Sequence, residues 1–328
     1  MERVAVIDIG TVTARLAIAD VDGEHVARLL KQSTICNLGE GLTQTGRISD
    51  VAAERVLSCV DAYLACAREA GAPVACCTLT SAARDAGNSD ALLARLVQRG
   101  LDAQVIAGSL EGSLTFLGVA RDFIGRRILV ADSGGGSTEL AAGTLSGAGL
   151  ALDAVCSVDV GCRRVTERFL SRNDPPLPQD VDAARSFVAE LFSDALAKGS
   201  VLTSAPERLV VTGGTVTSLV AIDEELEPYD SRRVHLSDLS RATVEGMAHR
   251  LATLTVAERS RLAGLQPQRA SVILGGVVVV AELMAQASFD VLTVSESDLL
   301  FGLSLCAAAA VRGGGCPLPW RPRLSSLR

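Results

Sequence analysis

Apolar residues fall along this chain in two rhythms. Short β-branched runs of strand length occur at "VAVIDIG", "ILVAD", "RLVVT" and "DVLTVS", and longer segments between them carry the apolar spacing of helices. In "ISDVAAERVLSCVDAYLACAREAG" that spacing predicts a helix capped by Ser49 and stopped at Gly71. A strand is expected at "VACCTL", a helix at "SDALLARLVQRG", a strand at "LDAQVIAG" and a helix at "SLEGSLTFLGVARDF". Further on, "VDVGCRRVTERFL" reads as a strand passing into a helix, and the prolines of "SRNDPPLP" interrupt regular structure. A helix follows from about residue 179 to 198, then a strand, glycine turn and helix in "RLVVTGGTVTSLVAID". The uniformly apolar "ASVILGGVVVVAELMAQA" and "DLLFGLSLCAAAAV" predict buried helices either side of "DVLTVS".

One pattern occurs twice. "VAVIDIGTVTARLAIADVDG" begins at residue 4 and "ILVADSGGGSTELAAGTLSG" at residue 128, and they align without gaps at an offset of 124. Each has an apolar run, an Asp, a Gly two residues later, a small hydroxyl-bearing turn and a second apolar run, which is the pattern of a tight β-hairpin. Related hairpins imply related lobes, and strands alternating with helices imply an α/β fold. The expected division is 1–124 for the first lobe, 125–298 for the second, a helix at 299–311 packing back on the first, and a frayed or surface tail at 312–328.

Composition narrows the chemistry. With 48% hydrophobic residues, 328 positions suffice for two buried cores, while a net charge of −7 argues against a dedicated nucleic-acid binder. An anionic ligand therefore needs a local basic pocket. Nine scattered cysteines fit reduced, partly buried thiols, and three separated histidines do not suit a zinc site. The opening "MERVAVIDIG" lacks the features of a signal peptide, and the apolar segments are shorter than a membrane span requires, so a cytoplasmic protein without membrane association is expected.

The repeated turns suit phosphate. Gly10 and Gly134, Gly135 and Gly136 allow backbone N–H groups to approach an anion, and Thr11, Thr13 and Ser137 add hydroxyl donors. A carboxylate beside phosphate needs a cation between them, which makes Asp8 and Asp132 expected Mg²⁺ holders. Gly213, Gly214 and Thr215 form a third glycine-rich turn before a helix N-terminus, where exposed amides favour anions. The alternative for each turn is a tight hairpin with no ligand, and the repetition at constant offset weighs against it.

Paired D-x-G loops on ribonuclease-H-like lobes resemble the fold of actin, heat-shock chaperones and sugar kinases. The blocks "LGEGLTQTGRIS", "TSAARDAGN", "VIAGSLEGSLTFLGV", "ADSGGGSTEL", "GCRRVTERFL", "VVTGGTVTSL", "ERSRLAGLQPQRASVILGG" and "VSESDLLFGL" resemble, in order and spacing, the exopolyphosphatase and guanosine pentaphosphate phosphatase (Ppx/GppA) family in its short form. The resemblance implies two ribonuclease-H-like lobes with a central cleft, and Mg²⁺-dependent hydrolysis of the terminal phosphate of inorganic polyphosphate or the 5′-terminal phosphate of guanosine pentaphosphate. It also implies a homodimer. By the same resemblance Glu111 is the catalytic base for water, Asp132 and Glu139 are functional carboxylates at the metal, and Arg15, Arg84 and Arg269 reach phosphate or a guanosine ligand. Val12, Thr13, Leu110, Ser133 and Phe301 depart from the family's usual residues and leave substrate preference open. Two other readings fit the scaffold: an ATP-dependent small-molecule kinase, and a noncatalytic sensor of polyphosphate or guanosine tetraphosphate.

Overall fold

The computed structural model describes residues 1–327, the side chains of residues 28 and 29 excepted. It forms two compact units, Met1–Gly118 with Leu299–Arg328, and Val119–Asp298. In the first, β1 (Glu2–Ile9), β2 (Thr13–Asp22) and β3 (His25–Ile35) make an antiparallel meander. β4 (Val74–Leu79) lies parallel to β1, and the short β5 (Gln104–Val105) lies parallel to β4. The helix Asp50–Glu69 begins as expected, with Ser49 Oγ accepting the Ala52 N–H at 3.2 Å, and ends before Gly71, whose φ is +72°. Its buried face, including Val56, Leu57, Val60 and Leu64, shares a core with Ile7, Leu16 and Ile18 of the sheet.

In the second unit β6 (Arg127–Ser133), β7 (Thr138–Ser146) and β8 (Gly149–Val158) repeat the meander. β9 (Arg208–Thr212), β10 (Asp238–Ser240) and β11 (Val291–Ser295) complete the order β10-β11-β9-β6-β7-β8. The helix Ile273–Gln286, apolar apart from Glu282 and Gln286, is buried along nearly its whole length, as its sequence requires. The repeat extends to details of register. Asp8 pairs with Arg15 and Asp132 with Glu139, both 124 residues apart, and the β2–β3 bulge at Ile18/Ala19 recurs in β7–β8 at Ala142/Gly143.

Other parts differ from the sequence reading. The third strands β3 and β8 and the helix Arg241–Ala252, capped by Ser240, were not anticipated, because their polar faces blur the apolar rhythm. The segment after residue 161 forms a short α-helix, Cys162–Val165, that continues as a π-helical turn, Thr166–Leu170. The C-terminal stretch is not frayed throughout: β12 (Leu324–Ser326) pairs antiparallel with β4, and Leu327 is buried against the first core. A three-residue strand is too short to be visible as a pattern; the sheet edge it joins supplies its partners.

Candidate active site

Each unit presents a turn of the same construction. Gly10 N–H donates to Thr13 O at 2.9 Å, and Gly134 N–H to Ser137 O at 3.0 Å. In the first unit Thr11 O accepts from Gly39 N (2.9 Å), and Val12 O from Cys36 N (3.0 Å) and Asn37 N (2.8 Å). In the second, Gly134 O accepts from Cys162 N (3.0 Å), and Gly135 O from Arg163 N (2.9 Å) and Arg164 N (3.2 Å). A trans peptide sets its C=O and the following N–H on opposite sides, so bonding these carbonyls to the segment behind the turn points the next amides away from it. Those of Val12, Gly135 and Gly136 donate to no acceptor among the described residues. The turn is packed as closely as its glycines allow: a Cβ on Gly161 would lie 2.5 Å from Gly135 C.

The acidic groups are arranged differently in the two units. Asp8, 1% exposed at the end of β1, accepts Arg15 Nη2 at 2.7 Å and Nε at 3.1 Å, with Thr78 Oγ1 at 3.4 Å on its other oxygen. Arg15, expected to reach ligand, is thus held by its cross-strand partner. Glu111, in the first turn of the helix Gly108–Val119, is 6% exposed and accepts Arg84 Nη1 at 2.6 Å. That nitrogen also reaches Ile106 O at 3.1 Å, which fixes Arg84 beside the carboxylate.

In the second unit the Asp8–Arg15 register position is occupied by two acids, Asp132 and Glu139, 5% and 2% exposed. Glu139 Oε1 accepts hydroxyl bonds from Ser137 (2.7 Å) and Ser157 (2.8 Å), so Ser137 orients this carboxylate. Like charges directly opposed across a strand pair repel, and a divalent cation relieves that repulsion. Magnesium is commonly held by one or two carboxylates, with water and substrate phosphate completing its shell, so this donor set fits the ion. Among the described residues no group of three or more His, Cys, Asp or Glu side chains is placed to hold a metal. Ser133 Oγ, beside Asp132 in sequence, is buried without a hydrogen-bond partner among the described residues.

The third turn follows β9, whose Thr212 is in register with Asp132. Gly213 has φ +116°, and a Cβ there would lie 2.6 Å from Ser133 O, so a side chain is excluded on both grounds. Gly214 opens the helix Gly214–Asp223, and the Arg269 guanidinium lies where a Gly214 side chain would be. Arg269 Nε donates to Gln266 Oε1 at 3.2 Å. Thr215 is turned onto Gly276 of the buried helix. The sequence reading missed Gly161, Ser157 and Gln266, whose contacts depend on chain reversals. Gly161 alone had a signal, since a glycine just beyond a strand is a common mark of close backbone approach.

Residues 17–304 match the model of the Ppx/GppA phosphatase family. Exopolyphosphatase 2 of Mycobacterium tuberculosis is 36% identical over 325 residues, covering 94% of this chain and 99% of that protein. A solved exopolyphosphatase-like protein is 30% identical with a TM-score of 0.88, covering 95% of this chain and 99% of that one. The Aquifex aeolicus member of the Ppx/GppA family is 28% identical with a TM-score of 0.76, covering 95% and 98%. With these neighbours the fold is that of the actin-like ATPases.

Proposed function

Because the chain belongs to the Ppx/GppA phosphatase family, we propose that this hydrolase is an exopolyphosphatase, transferring the terminal phosphate of inorganic polyphosphate to water. The observation that carries the reading is the pair of unspent amides at Gly135 and Gly136, held outward by carbonyls bonded on the other side. Successive N–H groups on a rigid loop are donors for phosphate oxygens at little reorganisation cost. The turn of the first unit, with its Val12 amide, and the helix N-terminus at Gly213–Gly214 beside Arg269 are donors of the same kind.

Glu111 is assigned the proton of the attacking water. Arg84 holds it in one position. Asp132 and Glu139 would hold magnesium, which when bound supplies charge neutralisation at the transferring phosphate. Glu139 is kept in place by its two serine donors. At Asp8 the neighbouring positive charge is Arg15 itself. Cross-strand register sets two carboxylates opposite one another in the second unit and one carboxylate opposite Arg15 in the first, which favours the metal at the second unit's acid pair over Asp8.

The test is orthophosphate release from long-chain polyphosphate with Mg²⁺ and no phosphoryl acceptor, with short polyphosphate and guanosine pentaphosphate in parallel. Acceptor-free release supports the proposal. Release only with an added acceptor would indicate a kinase, and binding without release a sensor; either overturns it. Turnover of guanosine pentaphosphate alone would reassign the substrate while keeping the hydrolase.

A further inference from the structure

The triple-glycine turn is gripped by backbone at two of its carbonyls and by a side chain at the third. Gly134 O and Gly135 O take main-chain amides of residues 162–164, whereas Gly136 O takes Arg164 Nε at 2.8 Å. At the equivalent place in the first unit, 124 residues earlier, Val12 O is held by two backbone amides, those of Cys36 and Asn37. The second unit therefore uses a guanidinium where the first uses main chain. The peptide that Arg164 anchors joins Gly136 to Ser137. Its orientation also sets the last rotatable link of a loop in which glycines impose little preference of their own.

We infer that Arg164 is a positioning residue for phosphate binding: by holding Gly136 O it keeps the turn in the form that aims the Gly135 and Gly136 amides at phosphate oxygens. This deepens the functional proposal and rests on its assignment of the turn to phosphate. Arg164 is itself partly buried, and its bond to Gly136 O is one of more than one contact it makes, so folding of each variant is checked by its melting curve.

Two substitutions separate a hydrogen bond from a charge. Gln carries its amide nitrogen the same number of bonds from Cα as Arg carries Nε, so Arg164→Gln removes the charge and keeps a donor. Arg164→Met puts a methyl group there and removes both. Loss of one well-aimed donor to a charged ligand corresponds to about tenfold or more in affinity. Arg164→Met is thus expected to raise KM for polyphosphate about tenfold with kcat less affected, and Arg164→Gln to stay within about threefold of wild type. An unchanged KM in Arg164→Met overturns the inference. So does an equal rise in both variants, which would mean that charge alone matters. If Arg164→Met does not fold, the Gln variant decides: near-wild-type KM supports the inference, and a tenfold rise overturns it. Tripolyphosphate binding, measured by calorimetry on the same proteins, separates this inference from the reaction. Should wild type release no phosphate but bind tripolyphosphate, the hydrolase reading fails while the affinity order wild type, Gln, then Met still supports Arg164. No binding by wild type overturns both.

Discussion

Glu111 Oε2 meets a guanidinium while Glu139 Oε1 meets two hydroxyls, and the difference separates their expected phenotypes. Glu111→Gln keeps size and shape but cannot accept a proton. Phosphate release is expected to fall by about a hundredfold or more with polyphosphate affinity retained, as general-base removal commonly gives. Near-normal turnover would remove Glu111 from the mechanism. Asp132→Asn and Glu139→Gln act instead on the cation: each is expected to raise the Mg²⁺ concentration for half-maximal rate, and a titration with unchanged midpoint would leave the acid pair without a metal role. At this scale the sequence singles out residues more readily than it shows what they touch. Asp8 and Asp132 were visible because the motif repeats. The reading of Arg15 as a ligand contact did not include its ion pair with Asp8, which follows from counting outward from the Gly10–Thr13 closing pair, since that register places the two opposite one another.

Elements are legible where apolar periodicity is strong, and the helix Asp50–Glu69 and both opening hairpins appear as their patterns require. The strands β3 and β8 are not, since β8 alternates exposed and half-buried residues and offers little apolar contrast. Nor could sequence show how helices are joined. Arg185 of the helix Pro178–Gly199 binds Glu245 of Arg241–Ala252 and, at 2.5 Å, Glu282 of Ile273–Gln286. Burial pushes the Glu282 carboxyl up, and Arg185 pulls it back down. Arg185→Met leaves two acids facing without their cation. Since Glu245 is 32% exposed, the cost is expected to be nearer about 2 kcal/mol than the larger loss of a fully buried pair, a fall in Tm of roughly 5 °C. The sign of its pH dependence follows: a carboxyl whose folded pKa lies above its unfolded one favours folding at low pH and loses that contribution as pH rises through the folded pKa. Melting at pH 5 and pH 8 should therefore show the smaller deficit at pH 5; an equal deficit would exclude Glu282 ionisation as its source. Gly161→Ala probes the turn itself. Its Cβ must displace Gly135, so phosphate affinity is expected to fall, whereas Gly147→Ala, with open space around it, is the matched control.

For the whole molecule, the two units are unequal as pieces of chain. The second is one continuous stretch, Val119–Asp298, while the first needs Leu299–Arg328 as well as Met1–Gly118. The helix Leu299–Val311 supplies more than a covering for that unit. It packs on β1 and β2, Leu299, Leu300, Leu303, Cys306 and Ala307 are fully buried, and Gly302 sits so close to Leu114 O that no side chain fits between. Beyond it, β12 adds the three pairs from Leu324 to Ser326 along β4. Without this segment the first unit would expose an apolar sheet face and an open strand edge, the conditions that favour aggregation. Residues 119–298 produced alone are accordingly expected to melt cooperatively. Residues 1–118 alone are expected to be unfolded or aggregated, and to gain a cooperative transition when residues 299–327 are attached through a flexible linker. Circular dichroism melts of the three fragments check this. A cooperative melt of 1–118 by itself would show that the returning helix merely docks on a finished unit.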